Sequence, residues 1–150
     1  MFDENVVLLD IQAKDSTEAL SIVADELEKK NIVKDTYKNA IIQREKEFPT
    51  GLNAPNCGIA IPHTDAIHVN KQQIAIARLL TPVKFLQMGD GADVEAKLIF
   101  MLALKEPHAQ LETLQKLMSL IQNETAVNGL LDAKDSDVVI KILKDNKLED

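Results

Sequence analysis

Apolar residues fall at two spacings along this chain, and each change of spacing marks a change of element. Val6 to Ile11 is a short apolar run rich in β-formers and predicts a first strand. Asp15 with Glu18 three residues later has the pattern of a capping box, two side chains satisfying each other's backbone donors at a helix start. Leu20, Val23 and Leu27 then share one face at a period of 3.6, predicting a helix that ends in Glu28-Lys29-Lys30. A second helix begins near Asp35, with Tyr37, Ile41, Arg44 and Phe48 on one side. Pro49 ends it, because a proline pushes the residue before it out of the helical region. Thr50 to Gly58 reads as a loop of turn formers, Gly51, Asn53, Pro55 and Asn56 among them. Gly58 to Ile61 predicts a short strand that runs directly into Pro62 and His63, and Ile74 to Leu80 predicts another. Val83 to Met88 and Ala96 to Leu104, on either side of Gly89-Asp90-Gly91, predict a hairpin. After Pro107 the helical period returns. Leu111, Leu114, Leu117, Met118 and Ile121 make one amphipathic helix, and Ala126 to Leu131 a shorter helix or turn. Val139, Ile140 and Leu143 make a last helix capped by Asp135 or Ser136.

This order of strand, two helices, several strands and then helices predicts an α/β, or α+β-like, fold. It is a mixed β-sheet with an antiparallel hairpin, flanked by helices on both faces. A length of 150 residues with no repeat or linker predicts a single domain over 1–150, its core at about 6–143. The strand order is left open by the pattern.

Charge and composition narrow the partners. The net charge is −7 and aromatics are 3% of the chain, which argues against nucleic acid, since that ligand rewards basic patches and stacking platforms. One cysteine, Cys57, excludes an internal disulfide and a multi-cysteine zinc site, and makes the cytoplasm the expected compartment. Asp3, Glu4 and Asp10 near the start are the wrong composition for a signal peptide. No apolar run approaches the ~18 residues of a membrane span, so no direct membrane insertion is expected.

The three histidines are His63, His68 and His108. His63 follows an apolar strand and a proline that stiffens the backbone, a common way to present a reactive side chain, although the same context suits an ordinary loop histidine. A histidine with its ordinary pKa of ~6.5 offers a neutral ring nitrogen near pH 7 that can attack phosphorus. Such a site needs a fixed tautomer, hydrogen-bond donors for the phosphoryl oxygens, and positive charge. Thr50, Thr64 and the amides of the 62–65 turn are candidate donors. The chain has only two arginines, Arg44 and Arg78. Arg44 lies beside an apolar stripe on the helix feeding the Thr50 loop. It is either a phosphoryl ligand, its planar fork matching phosphate, or a surface residue with its stem laid along the helix. Arg78 sits in an apolar strand and is expected to pair with a carboxylate. His108 and Gln110, at the start of the helix after Pro107, either face an anion or simply begin that helix. A zinc site from His63 and His68 has poor spacing, and a Cys57–His63 thiol nucleophile has no third, orienting residue.

The stretch Thr50-Gly51 … Gly58-Ile59-Ala60-Ile61-Pro62-His63-Thr64-Asp65 resembles the signature of the enzyme IIA component of the phosphoenolpyruvate-dependent sugar phosphotransferase system. The likeness is to the fructose/mannitol-type (type 2) IIA domain, over about Val6 to Leu143. Pro62-His63-Thr64-Asp65, the Met88-Gly89 turn and the strand Phe100-Met101-Leu102-Ala103-Leu104 are most similar to the galactitol-specific IIA. The resemblance implies that His63 accepts a phosphoryl group from the phosphocarrier protein HPr and passes it to a cysteine of a IIB component. IIB then phosphorylates a sugar or polyol, here galactitol, as the membrane component IIC imports it. Arg44-Glu45 matches an upstream Arg-Glu pair. Fructose and mannitol members usually carry a second active-site histidine just before the first apolar residue of the following helix. Here Gln110 holds that position, as in the galactitol branch, and His108 lies two residues earlier. The implied catalytic set is His63, Arg44, Gln110 and His108, with Thr50 and Thr64 as phosphoryl ligands and no metal or organic cofactor. The alternative is a regulatory IIA-like module that binds a sensor or transcription regulator according to its phosphorylation state.

Overall fold

The computed structural model describes residues 6–148; Asp3 and Glu4, used above against a signal peptide, lie outside them. In chain order the elements are β1 (Val6–Ile11), α1 (Ser16–Lys29), α2 (Tyr37–Glu47), β2 (Gly51–Asn53), β3 (Gly58–Ala60), a 3-10 turn (Ala66–His68), β4 (Gln73–Leu86), β5 (Asp93–Ala103), α3 (Pro107–Ile121), α4 (Glu124–Asp132) and α5 (Ser136–Asp145). The caps follow the sequence pattern. Asp15 accepts from the Glu18 amide, while the Glu18 carboxylate turns back to the Lys14 amide. Asp135 rather than Ser136 caps α5, accepting from Val138 N.

The five strands form one mixed sheet in the order β1-β4-β5-β3-β2. β1 runs parallel to β4 and β3 parallel to β5, whereas β4–β5 and β2–β3 are antiparallel. The alternation on the two long strands divides the core. Ala75, Ala77, Ile99, Met101 and Ala103 face α1 and α2, packing with Leu20, Val23, Leu27, Tyr37 and Ile41. Ile74, Ile76, Leu98, Phe100 and Leu102 face α3, α4 and α5, against Leu117, Leu120, Val127, Leu130, Val139 and Leu143. The α1–α2 side of the sheet is rich in alanine, which leaves room for the buried Tyr37 ring. Helices thus cover both faces, as the pattern predicts.

Two elements differ from the sequence reading. Ile74–Leu80 and the Val83–Leu86 part of the second predicted run belong to a single 14-residue strand, β4, which stops before Met88. Pro82 lies where the β4–β5 register shifts between Arg78 and Val83, the irregularity at which a residue without an N–H is tolerated inside a sheet. The stretch read as a loop over Thr50 to Gly58 contains β2, which pairs Gly51 with Ala60 and Asn53 with Gly58. The segment at Ala126 to Leu131 is helical, within α4.

Arg78 is buried and pairs with a carboxylate, as expected. Its Nε and Nη2 reach Asp10 Oδ1 and Oδ2 at 2.9 and 3.0 Å. Its Nη1 donates to the carbonyls of Leu130, Leu131 and Ala133 at the end of α4. One guanidinium thereby ties β1, β4 and α4 together and serves the orphan carbonyls of a helix end.

Candidate functional site

Topology gathers the site at one end of the sheet. β3 and β5 are parallel, so their carboxyl ends lie side by side, and the chain leaves β3 through Ile61 and Pro62 to His63. The pairing continues past the strand, for Leu102 N donates to the Pro62 carbonyl at 3.0 Å. β2 runs antiparallel to β3, so Thr50, at the foot of α2, comes to lie opposite Ile61. β5 leads directly into α3, whose first turn carries Gln110.

His63 is half-buried, and its Nδ1 lies 2.9 Å from the Ile61 carbonyl oxygen. A carbonyl only accepts, so Nδ1 carries the proton and the Nε2 lone pair is left available. This is the fixed tautomer that a nucleophilic histidine requires. The ring opens onto a cleft of about 280 Å³ lined by Arg44, Thr64, Asp65, Lys105, Pro107 and Gln110, with Leu102, Leu104 and Leu114 as an apolar floor. Among the described lining residues Arg44 and Lys105 are cationic and only Asp65 is acidic, so they make the cleft locally positive in an acidic protein.

Arg44 lies in the last turn of α2. Its guanidinium stacks over the exposed Phe48 ring at 4.9 Å and sits 3.7 Å from Asp65 Oδ1. That pair is exposed and therefore weak, so a stronger anion can displace the Asp65 carboxylate from Arg44. Gln110 donates from Nε2 to the Leu104 carbonyl at 3.3 Å while lining the cleft.

The structure brings together His63, Arg44, Thr64 and Gln110, but not the other two candidates. Thr50 is buried and does not line the cleft; its amide and hydroxyl both donate to the Glu45 carboxylate, each at 2.8 Å. A hydroxyl whose proton is already given to a carboxylate is no phosphoryl ligand, so the expectation for Thr50 is corrected on geometry. His108 is exposed on the second residue of α3, outside the cleft lining, and Gln110 occupies the place facing it. The other residue readings also resolve. His68 points elsewhere, its Nδ1 meeting Thr36 Oγ1 at 2.8 Å. Cys57 is half-buried outside the cleft lining, and burial pushes its thiol pKa up, away from the reactive thiolate.

Sequence reasoning named Glu45 only within the Arg-Glu match, with no role of its own, and passed over Tyr37 as a site residue. Glu45 is buried, and burial pushes its pKa up to about 6 despite the two Thr50 hydrogen bonds. Tyr37 donates its hydroxyl to the Leu102 carbonyl at 2.8 Å, and full burial holds its phenol above the usual range. Both residues occur in the α2 pattern, but nothing in that pattern says which backbone groups they reach.

Comparison with known proteins identifies the family of the chain. The family profile described as "Phosphoenolpyruvate-dependent sugar phosphotransferase system, EIIA 2" matches residues 1–146. The galactitol-specific EIIA component of Escherichia coli strain K12 is 37% identical over 117 residues, 78% of each chain. The fructose-specific EIIABC component of Bacillus subtilis is 31% identical over 147 residues, 95% of this chain and 22% of that much longer one. Among solved structures, enzyme IIAMTL from Escherichia coli in complex with phosphorylated enzyme IIBMTL superposes with a TM-score of 0.77 at 25% identity, covering 97% of both chains. With a family match across nearly all of its length and the same fold beneath it, the chain belongs to the type-2 enzyme IIA family, the phosphotransferase components that carry phosphoryl groups toward IIB in sugar uptake.

Proposed function

We propose that His63 is the phosphoryl acceptor and that its Nε2 is the attacking atom. The observation that carries this reading is the Nδ1 contact with the Ile61 carbonyl beside a cleft holding Arg44, Thr64 and Gln110. In the proposed step, the Nε2 lone pair attacks the phosphorus of a phosphohistidine on HPr. The new N–P bond forms in line with the breaking one, whose electron pair returns to the donor ring. The His63 ring gains positive charge, which the Ile61 carbonyl stabilises through Nδ1–H. Arg44 exchanges Asp65 for the phosphoryl oxygens, and the Thr64 hydroxyl and the amides of the turn complete the donors. In the second step the phosphoryl group leaves His63 for a cysteine thiolate of the IIB component. Exposed Ile67 and Leu111 adjoin the cleft residues Ala66 and Gln110 in sequence, and exposed Phe48 lies under Arg44; an apolar rim around a polar site suits the docking of both protein partners.

The similarity to the galactitol-specific component supports galactitol as the imported polyol, with the membrane component IIC downstream and the cytoplasm as compartment. The test is incubation with phosphoenolpyruvate, enzyme I and HPr, which is expected to add one acid-labile phosphoryl group. Retention of that label by His63→Ala would overturn the assignment. Passage of the label to a galactitol IIB cysteine, coupled to polyol uptake, separates the transport role from a purely regulatory module.

A further inference from the structure

The two backbone groups that set the position of His63 are both held from α2. On one side, Glu45 accepts from Thr50 N and Thr50 Oγ1 at 2.8 Å each. Thr50 in turn accepts the Ile61 amide, on its carbonyl at 3.3 Å and on its hydroxyl at 3.2 Å. Ile61 then offers its own carbonyl to His63 Nδ1. On the other side, Tyr37 holds the Leu102 carbonyl, and the Leu102 amide holds the Pro62 carbonyl. The chain through Glu45 ends on the atom that fixes the tautomer.

From this arrangement we infer that Glu45 is a positioning residue for phosphoryl transfer, acting through Thr50 and Ile61 to hold the His63 ring with Nε2 facing the cleft. The inference rests on the reading that His63 is the phosphoryl acceptor. Glu45 does not line the cleft, so it touches neither the phosphoryl group nor the partner proteins there. Its chemistry suits the role. A carboxylate is acceptor-only and meets two converging donors with two oxygens, whereas a glutamine offers one acceptor oxygen and an NH2 that repels one of them. Among the described residues no cation compensates the burial of that carboxylate: desolvation is the leading influence on Glu45, and Thr50 opposes it. A plain core contact at this position would be better served by an apolar side chain.

The full chain carrying Glu45→Gln, Thr50→Val or Thr50→Ser, with His63→Ala as reference, is assayed for single-turnover transfer from phospho-HPr, and the His63 ring nitrogens are observed by 15N NMR. Glu45→Gln and Thr50→Val are expected to lower the maximal rate roughly tenfold or more, the scale of a misplaced nucleophile. The half-saturating donor concentration should stay within about twofold, because the docking surface is untouched. In both variants the single Nδ1–H signature of His63 should give way to mixed tautomers. Thr50→Ser, which keeps the hydroxyl, should stay within about threefold of the parent rate. Where Glu45→Gln does not fold, the Thr50 pair makes the same comparison. A folded Glu45→Gln with the parent rate and an unchanged His63 tautomer overturns the positioning role while leaving the acceptor assignment standing. Label on His63→Ala overturns both.

Discussion

Arg44 has two present partners, and neither explains an arginine. The Asp65 contact is long and solvent-exposed, and the Phe48 stacking is worth only about 0.5–1 kcal/mol at such a site. What an arginine adds over a lysine is a planar fork that presents two N–H donors to one phosphoryl group. Arg44→Lys should therefore keep the fold, with a melting temperature within about 3 °C of the parent. Losing one charge-assisted hydrogen bond in the transition state, about 1.5 kcal/mol, should slow phosphoryl transfer roughly tenfold. Quench-flow transfer beside a thermal melt checks both halves, and an unchanged rate returns Arg44 to a surface role. At this scale the sequence shows types and near neighbours. His63 and Arg44 are legible because a short motif and a rare residue type announce them. Thr50 is misread because its hydroxyl can serve a ligand or a carboxylate with equal chemistry. Only the fold supplies Glu45, five residues back, as the acceptor.

Among the elements, β3 depends on a close approach that only glycine permits. A Cβ built on Gly58 would collide with the Glu95 carbonyl of β5 and come within 2.8 Å of the Val94 side chain. A backbone carbonyl in a paired strand cannot rotate aside, so β3 must move away from β5. Gly58→Ala should cost about 3 kcal/mol, lowering the melting temperature by roughly 6–12 °C. Because β3 ends at the turn that presents His63, transfer should fall with stability. Gly89→Ala is the comparison, at a turn glycine with φ of 92° and nothing within 4 Å of the new Cβ. It should cost only about 1 kcal/mol, the strain of a left-handed alanine. Equal melting temperatures for the two variants would refute the steric account. The same strand pair shows why parts of the sheet were illegible. β2 is three residues, Leu52 between the turn formers Gly51 and Asn53, whose pairing with β3 is a tertiary fact, and Pro82 divides one long strand into two apparent ones. The helices and the hairpin were legible because periodicity and glycine turns act locally.

Taken as a whole, the molecule holds an ionisable group whose burial works against stability above mildly acidic pH. The folded-state pKa of Glu45, about 6, lies above its unfolded value of 4.5. The native state therefore binds the proton more tightly than the unfolded chain does. The resulting stability is fully present below about pH 4.5 and is lost as pH rises through about 6. The difference of about 1.5 pKa units corresponds to roughly 2 kcal/mol. Asp10 works in the opposite direction, because hydrogen bonding to Arg78 holds its carboxyl below the usual value, so its contribution is lost as pH falls. The observable is thus a comparison between variants rather than one profile. Denaturant unfolding of the parent and of Glu45→Gln between pH 4.5 and 7 should give stabilities that change relative to each other by up to roughly 2 kcal/mol, with the variant gaining as pH rises. A difference that stays flat across the window would show that Glu45 does not titrate with folding. A slope of this sign beside a slowed transfer step would show one carboxylate opposing stability while holding the reactive histidine in place, a pattern expected where function sets the position of a buried charge.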